Sequence, residues 1–241
     1  MILQLFRARR RQVLIDINTQ KDFLLAGGKC CIRNHRRILG HIRRVMAWAR
    51  RRNVPVISIA DVHSGNDNGD PDSFGATCCI DGTEGQKKVR YTLLANRISF
   101  AADGNTDLPR DMLRRYKQVI LHKRCLDPFD EPRIDRLLSE VQASEFILVG
   151  VSVEGDVEET ALGLLQRGKR VSVVVDAVGS HNKRESRLAL RKMEAKGAKL
   201  IETKRLAGSS HLKVVGICDC GMCRGLKREA AIGRAEGGIS T

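Results

Sequence analysis

Short apolar runs separated by helical patterns dominate this chain, and that alternation limits the folds open to it more than any other feature. Gln12–Ile17, Val56–Ile59, Gln118–His122, Phe146–Val151 and Val171–Val175 are compact, β-rich runs, and Leu200–Glu202 is a shorter sixth. Between the first two, Ile38, Leu39, Ile42, Val45, Met46 and Trp48 recur at helical spacing, so residues 34–52 are expected to be a helix that stops at Asn53. Pro132 opens another helical pattern through Leu138. Gly155–Gln166 forms a third, closed by Gly168, and residues 183–196 a fourth, closed by Gly197. Strands apolar on both faces, with helices between them, predict a doubly wound, three-layer α/β/α fold with about six strands in a mainly parallel sheet. One domain is expected over 10–205, with 206–241 a flexible, cysteine-containing basic tail.

Ligands of such sheets sit beyond the carboxyl ends of the strands. That gives most weight to Asp16, Asp61, Lys123, the Ser152–Asp156 turn and Asp176. Asp16 reads either as a reacting carboxylate or as a solvated strand-end cap. Lys123 reads either as the cation beside such a carboxylate or as a surface lysine, and His122 before it as a packing or capping residue. The stretch from Gly150 to Ala161 is a strand, a tight turn and a helix start. Backbone N–H groups there, at Val151 and Ser152, could bind an anion or oxyanion. The plainer alternative is a strand-to-helix turn with Asp156 in the first helical turn, where carboxylates are favoured anyway. The Gly/Asp/Asn-rich stretch 61–86 is a long loop, a type that is usually functional.

Composition narrows the partners. The net charge of this 241-residue chain is +15, and residues 1–52 hold fourteen Lys or Arg against Asp16 and Asp22. Such a block can be a solvated surface, or can attract polyanions weakly and without sequence preference. Six Phe, two Tyr and one Trp are too few for a platform that stacks single strands. No apolar run approaches the length of a membrane span, and the start is too short and arginine-rich for a secretory signal. The eight cysteines (30, 31, 78, 79, 125, 218, 220 and 223) are therefore expected as free thiols in a reducing cytoplasm.

The order of several short motifs resembles the isochorismatase-like hydrolase superfamily of nicotinamidases, isochorismatases and related cysteine hydrolases, over residues 12–202. The motifs are Val13-Leu14-Ile15-Asp16 with Gln20, Asp22 and Phe23; Pro55-Val56-Ile57 with Asp61 and His63; Cys79 through Gly85; Lys123 with Phe129; and Gly150-Val151-Ser152 with Val157 through Ala161, followed by Arg167-Gly168 and Asp176-Ala177. The resemblance implies an Asp, Lys and Cys at the site, which fall on Asp16, Lys123 and Asp156. Asp156 thus stands where the family has its thiol. The family also spaces its first two aspartates four apart, whereas Asp16 and Asp22 are six apart.

The resemblance further implies a metal option through Asp61 and His63, with Cys78, Asp67 or Asp70 as further donors; no cofactor is expected otherwise. Cys218, Cys220 and Cys223 supply three zinc-type ligands, which Cys30 and Cys31 could complete only if the fold brought them close. A small-molecule substrate and self-association are expected. Without a thiol, amide hydrolysis through an acyl-enzyme is not. Two readings remain: a hydrolase in which Asp16 donates a proton while Asp156 activates water, or an inactive member that binds or scaffolds.

Overall fold

The structure is a computed structural model, and it describes residues 12–64 and 77–208. In chain order the regular elements are β1 (Gln12–Ile17), α1 (Lys21–Leu24), α2 (His35–Arg52), β2 (Val56–Asp61), β3 (Arg97–Phe100), α3 (Met112–Arg115), β4 (Gln118–Lys123), α4 (Pro132–Glu140), β5 (Glu145–Val151), α5 (Glu158–Gln166), β6 (Val171–Gly179), α6 (Lys183–Ala195), β7 (Lys199–Ile201) and α7 (Thr203–Ala207). The seven strands form one all-parallel sheet in the order β3-β4-β2-β1-β5-β6-β7. The sheet has one strand more than expected. β3 is an edge strand whose residues alternate between exposed and half-buried, so no apolar run marks it.

Side chains of a strand alternate between its faces, and here each face meets its own helices. Val13, Ile15 and Ile17 of β1, Ile57 and Ile59 of β2, and Val119 and Leu121 of β4 pack with Ile134, Leu138, Ala161, Leu164 and Met193 from α4, α5 and α6. Leu14, Val56, Ile147 and Val149 face the other way, onto Ile38, Leu39, Ile42, Val45, Met46 and Ala49 of α2. Each such fully buried side chain contributes roughly 1.5–3 kcal/mol. The helix begins at His35 and stops at Asn53, whose left-handed backbone (φ 51°) accepts what few residues but Asn and Gly do readily.

The chain threads the sheet so that β1, β2, β4 and β5 all end at the same edge, with β1 in the middle. Gly150 makes this possible at the β1–β5 contact. Its φ is 123°, and a side-chain carbon there would lie 1.9 Å from the Ile17 carbonyl oxygen. α7 carries regular structure through Ala207, just past the expected start of the tail. The rest of that tail, with Cys218, Cys220 and Cys223, lies outside the described residues, as do residues 1–11 and the loop residues Asp67 and Asp70. No described helix is long and apolar enough to cross a membrane.

Candidate active site at the carboxyl edge of the sheet

Lys123 closes β4, and its strand-register partner on β2 is Asp61. The Lys123 side chain is almost wholly buried. Its ammonium donates to Asp61 Oδ1, to Asp156 Oδ1 at 2.5 Å and to the Cys125 carbonyl at 2.8 Å, so all three N–H donors are used. Asp156 sits in the wide turn Val153–Val157 between β5 and α5, and its carbonyl accepts from Thr160 Oγ at 2.6 Å. Val151 is buried and Ser152 half-buried at the start of that turn. The Val151–Ser152 peptide is cis, and the Ser152 carbonyl accepts from Val157 N–H at 3.0 Å.

The fourth member is Asn18, immediately after β1, fully buried and with a left-handed backbone (φ 47°). Its side-chain amide donates to Asp61 Oδ2 at 2.7 Å, while its own Oδ1 is buried without a hydrogen-bond partner. Gln20 fixes Asp61 from behind: it accepts from the Asp61 N–H at 2.9 Å and donates to the Asp61 carbonyl at 2.7 Å. Counting the family's four-residue spacing back from Asp22 lands on Asn18. That count was available in the sequence.

Asp16 lies elsewhere. Through the strand register it is level with Ser58 and so with Ile120, three residues short of Lys123. That is about 10 Å along the strands. It also follows Leu14 onto the α2 face, whereas Asp61 and Lys123 follow Ile59 and Leu121 onto the opposite one. Its carboxylate accepts from Lys88 Nζ at 2.6 Å, Thr19 Oγ at 2.7 Å and Ser58 Oγ at 2.9 Å. Gln118 extends this buried network by donating to Ser58 Oγ and to the Thr92 carbonyl. Of the expected trio the structure brings Lys123 and Asp156 together; the second carboxylate on Lys123 is Asp61, and Asp16 pairs with Lys88 instead. β1 runs on to Ile17, so Asp16 is inside the strand and does not end it.

Charge follows from the packing. Burial, and then the Asp156 carboxylate, push the Asp61 carboxyl up to about 7 from 3.8; Lys123 and Asn18 only partly offset this. Burial opposes the charge on Lys123, yet the two carboxylates outweigh it and hold the ammonium protonated. The Cys125 thiol is raised by burial despite the neighbouring Lys123, so it is no ready thiolate. His181, just past β6, is pushed down by burial; Glu154 and Asp156 pull the other way. Its backbone N–H donates to Glu154 Oε1 at 2.7 Å.

The described residues do not assemble a metal centre. Both Asp61 oxygens are committed, one to an ammonium and one to an amide. His63 is tied through its backbone to the 79–81 segment, its N–H donating to the Cys79 carbonyl at 3.1 Å. Among the described residues no three His, Cys, Asp or Glu side chains converge on a cation position. His122 caps: its Nδ1 lies 2.9 Å from the Phe100 carbonyl.

The Isochorismatase domain family matches residues 12–205. The chain belongs to the isochorismatase family. Solved structures agree on the fold. A pyrazinamidase of Pyrococcus horikoshii in complex with zinc superposes with a TM-score of 0.63 at 22% identity, covering 80% of this chain and 99% of that one. An isochorismatase family protein from Desulfovibrio vulgaris gives 0.64 at 20% identity, covering 82% and 96%. An N-carbamoylsarcosine amidase from Thermoplasma acidophilum gives 0.58 at 18% identity, covering 80% and 96%. No match was found among curated protein sequences. Within this family fold, the turn where the resemblance places a thiol carries Asp156.

Proposed function

We propose that this isochorismatase-family chain hydrolyses a small molecule by carboxylate acid–base chemistry, with no thiol intermediate. The observation that carries the reading is Lys123 held between Asp61 and Asp156, in a setting whose burial pushes the Asp61 carboxyl up to about 7. The neighbouring Asp156 carboxylate adds to burial in pushing the Asp61 carboxyl up. Asp61 then gives a proton to the substrate while Asp156 takes one from water. This division suits an enol ether, whose slow step is protonation of carbon. Water then adds to the resulting oxocarbenium ion, its proton passes to Asp156, and the hemiketal collapses to a ketone and an alcohol. It does not suit an amide, which needs a strong nucleophile.

Asn18 supports a second reading, an inactive member that only binds its ligand, because a carboxamide cannot donate a proton as an acid does. Turnover assays on isochorismate, nicotinamide and carbamoyl compounds, paired with calorimetric binding, separate the two. The hydrolase reading expects enol-ether turnover that survives iodoacetamide and is lost in Asp61→Asn and Asp156→Asn. Binding without turnover establishes the second.

A further inference from the structure

The arginines of α2 keep a seven-residue rhythm. Arg36 and Arg37, Arg43 and Arg44, and Arg50 and Arg51 are doublets, and the helix contains no acidic residue. Seven residues make almost two helical turns, so the doublets align along one side, about 10.5 Å apart. That side faces away from Ile38, Leu39, Ile42, Val45, Met46 and Ala49, which fill the core. Arg37, Arg43 and Arg51 are exposed and form no ion pair with a described residue.

A groove of about 960 Å³ opens beside the carboxyl end of α2, at the amino-terminal edge of the sheet. Arg52, Arg114, Lys117 and Arg205 line it beside Gln12 and Trp48, and no acidic residue does. These cations come from α2, α3, the residue before β4, and α7. Arg52, Lys117 and Arg205 form no ion pair with a described residue, and Arg114 reaches Asp111 only at 3.9 Å. The carbonyl end of α2 favours cations and accounts for Arg50–Arg52 one by one. It does not account for the convergence, since α3 and α7 are only four and five residues long. The groove is also remote from the candidate active site. Lys117 precedes β4 and Lys123 ends it, a separation of about 20 Å along the strand.

We infer that this groove and the α2 arginine rows form one docking surface for a nucleic-acid duplex, gripped by its phosphates. A compact anion would need the groove alone. Cations running on for about 21 Å from Arg37 to Arg51 match a long polyanion with regular charges. Guanidinium forks suit phosphate oxygens, which they can bind in pairs. A single strand would need exposed rings for its bases, and Trp48 is only 6% exposed. Contact through the backbone alone carries no base selectivity.

The test is fluorescence anisotropy of the full chain with a labelled duplex DNA of about 20 base pairs, with a poly-glutamate peptide of similar length as competitor. About four phosphate contacts predict roughly a hundredfold weakening between about 50 and 200 mM salt. Arg52→Glu/Lys117→Glu/Arg205→Glu and, separately, Arg37→Gln/Arg43→Gln/Arg51→Gln are each expected to weaken binding tenfold or more. All six side chains are exposed, so thermal melts should match the wild type. Absence of duplex binding at low salt overturns the inference. So does unchanged affinity in either variant, which places the contact elsewhere, or displacement of the duplex by equimolar poly-glutamate, which points to an acidic protein partner.

Discussion

Asn18 donates its side-chain amide to Asp61 at 2.7 Å, and so puts an uncharged group where the family's spacing from Asp22 calls for an acid. The proton that such an acid would carry is displaced by one residue in space. Under the proposed function it falls on Asp61, which is buried against Asp156 and bonded to Lys123.

That displacement has a measurable consequence for stability. Asp61 is raised from 3.8 to about 7 in the folded state. Between those values the folded protein holds a proton that the unfolded chain has released, so stability from this group is full below about pH 4 and is lost as pH rises through about 7. Urea unfolding at pH 5 and pH 8 should show the wild type losing stability relative to Asp61→Asn at the higher pH. A difference that stays constant with pH would mean that Asp61 is ionised throughout.

Lys123 is the keystone of the same cluster. Lys123→Met leaves two buried carboxylates without their cation, and is expected to cost about 3–5 kcal/mol at neutral pH. Adding Asp61→Asn and Asp156→Asn to that variant removes the stranded charge and should recover much of the loss. Chemical denaturation of the wild type, Lys123→Met and the triple variant measures both steps. A cost under about 1 kcal/mol for Lys123→Met would show the cluster to be far better solvated than its packing implies.

Which parts of this architecture can be read from the chain depends on whether the information is local. Five strands announce themselves because a strand covered on both faces needs a continuous apolar run, as Phe146–Val151 does. β3 escapes because Arg97 and Ser99 point outward from an edge strand. The turn at Asp156 is legible from the strand–glycine–helix order around it. The partnership of Lys123 with Asp61 is not, because it exists only once β4 lies beside β2, bringing together residues 62 positions apart in the sequence. Asp16 misleads for a subtler reason: a carboxylate near the end of an apolar run looks like a strand end. Alternation along β1 and one further strand residue turn it to the other face, into the Lys88 pair.

The Asp16–Lys88 pair can be separated from the chemistry by mutation. Burial already lowers the Lys88 pKa, and the Asp16 carboxylate beside it works against that shift. Asp16→Asn should therefore cost about 3–5 kcal/mol, with part of the loss relieved if Lys88 deprotonates. Asp16→Asn/Lys88→Met should be closer to wild type. Under the proposed function, folded Asp16→Asn protein retains its kcat. A kcat loss of tenfold or more, with unfolding free energy unchanged, would return Asp16 to the reacting groups.

The turn itself is tested by restoring a thiol. At position 156 a cysteine would sit at the start of α5 with the Lys123 ammonium in bonding range, and both lower a thiol pKa. Three described thiols offer a clean background: Cys30 is raised by its hydrogen bond with Cys78 and by burial, Cys78 is pulled down by Cys30 but raised overall by Cys79 and burial, and Cys125 is raised chiefly by burial. Asp156→Cys should therefore be alkylated by iodoacetamide at pH 7 at least tenfold faster than Cys125, as read by peptide mapping after brief exposure. Removing one carboxylate also relieves the repulsion on Asp61, so its proton should be lost at lower pH in this variant. Adding Asn18→Asp supplies an acid in contact distance of Asp61, and slow amide hydrolysis is expected from the double variant but not from Asp156→Cys alone. If position 156 labels no faster than Cys125, the ammonium does not reach it, and the assignment of Asp156 to the reacting cluster fails.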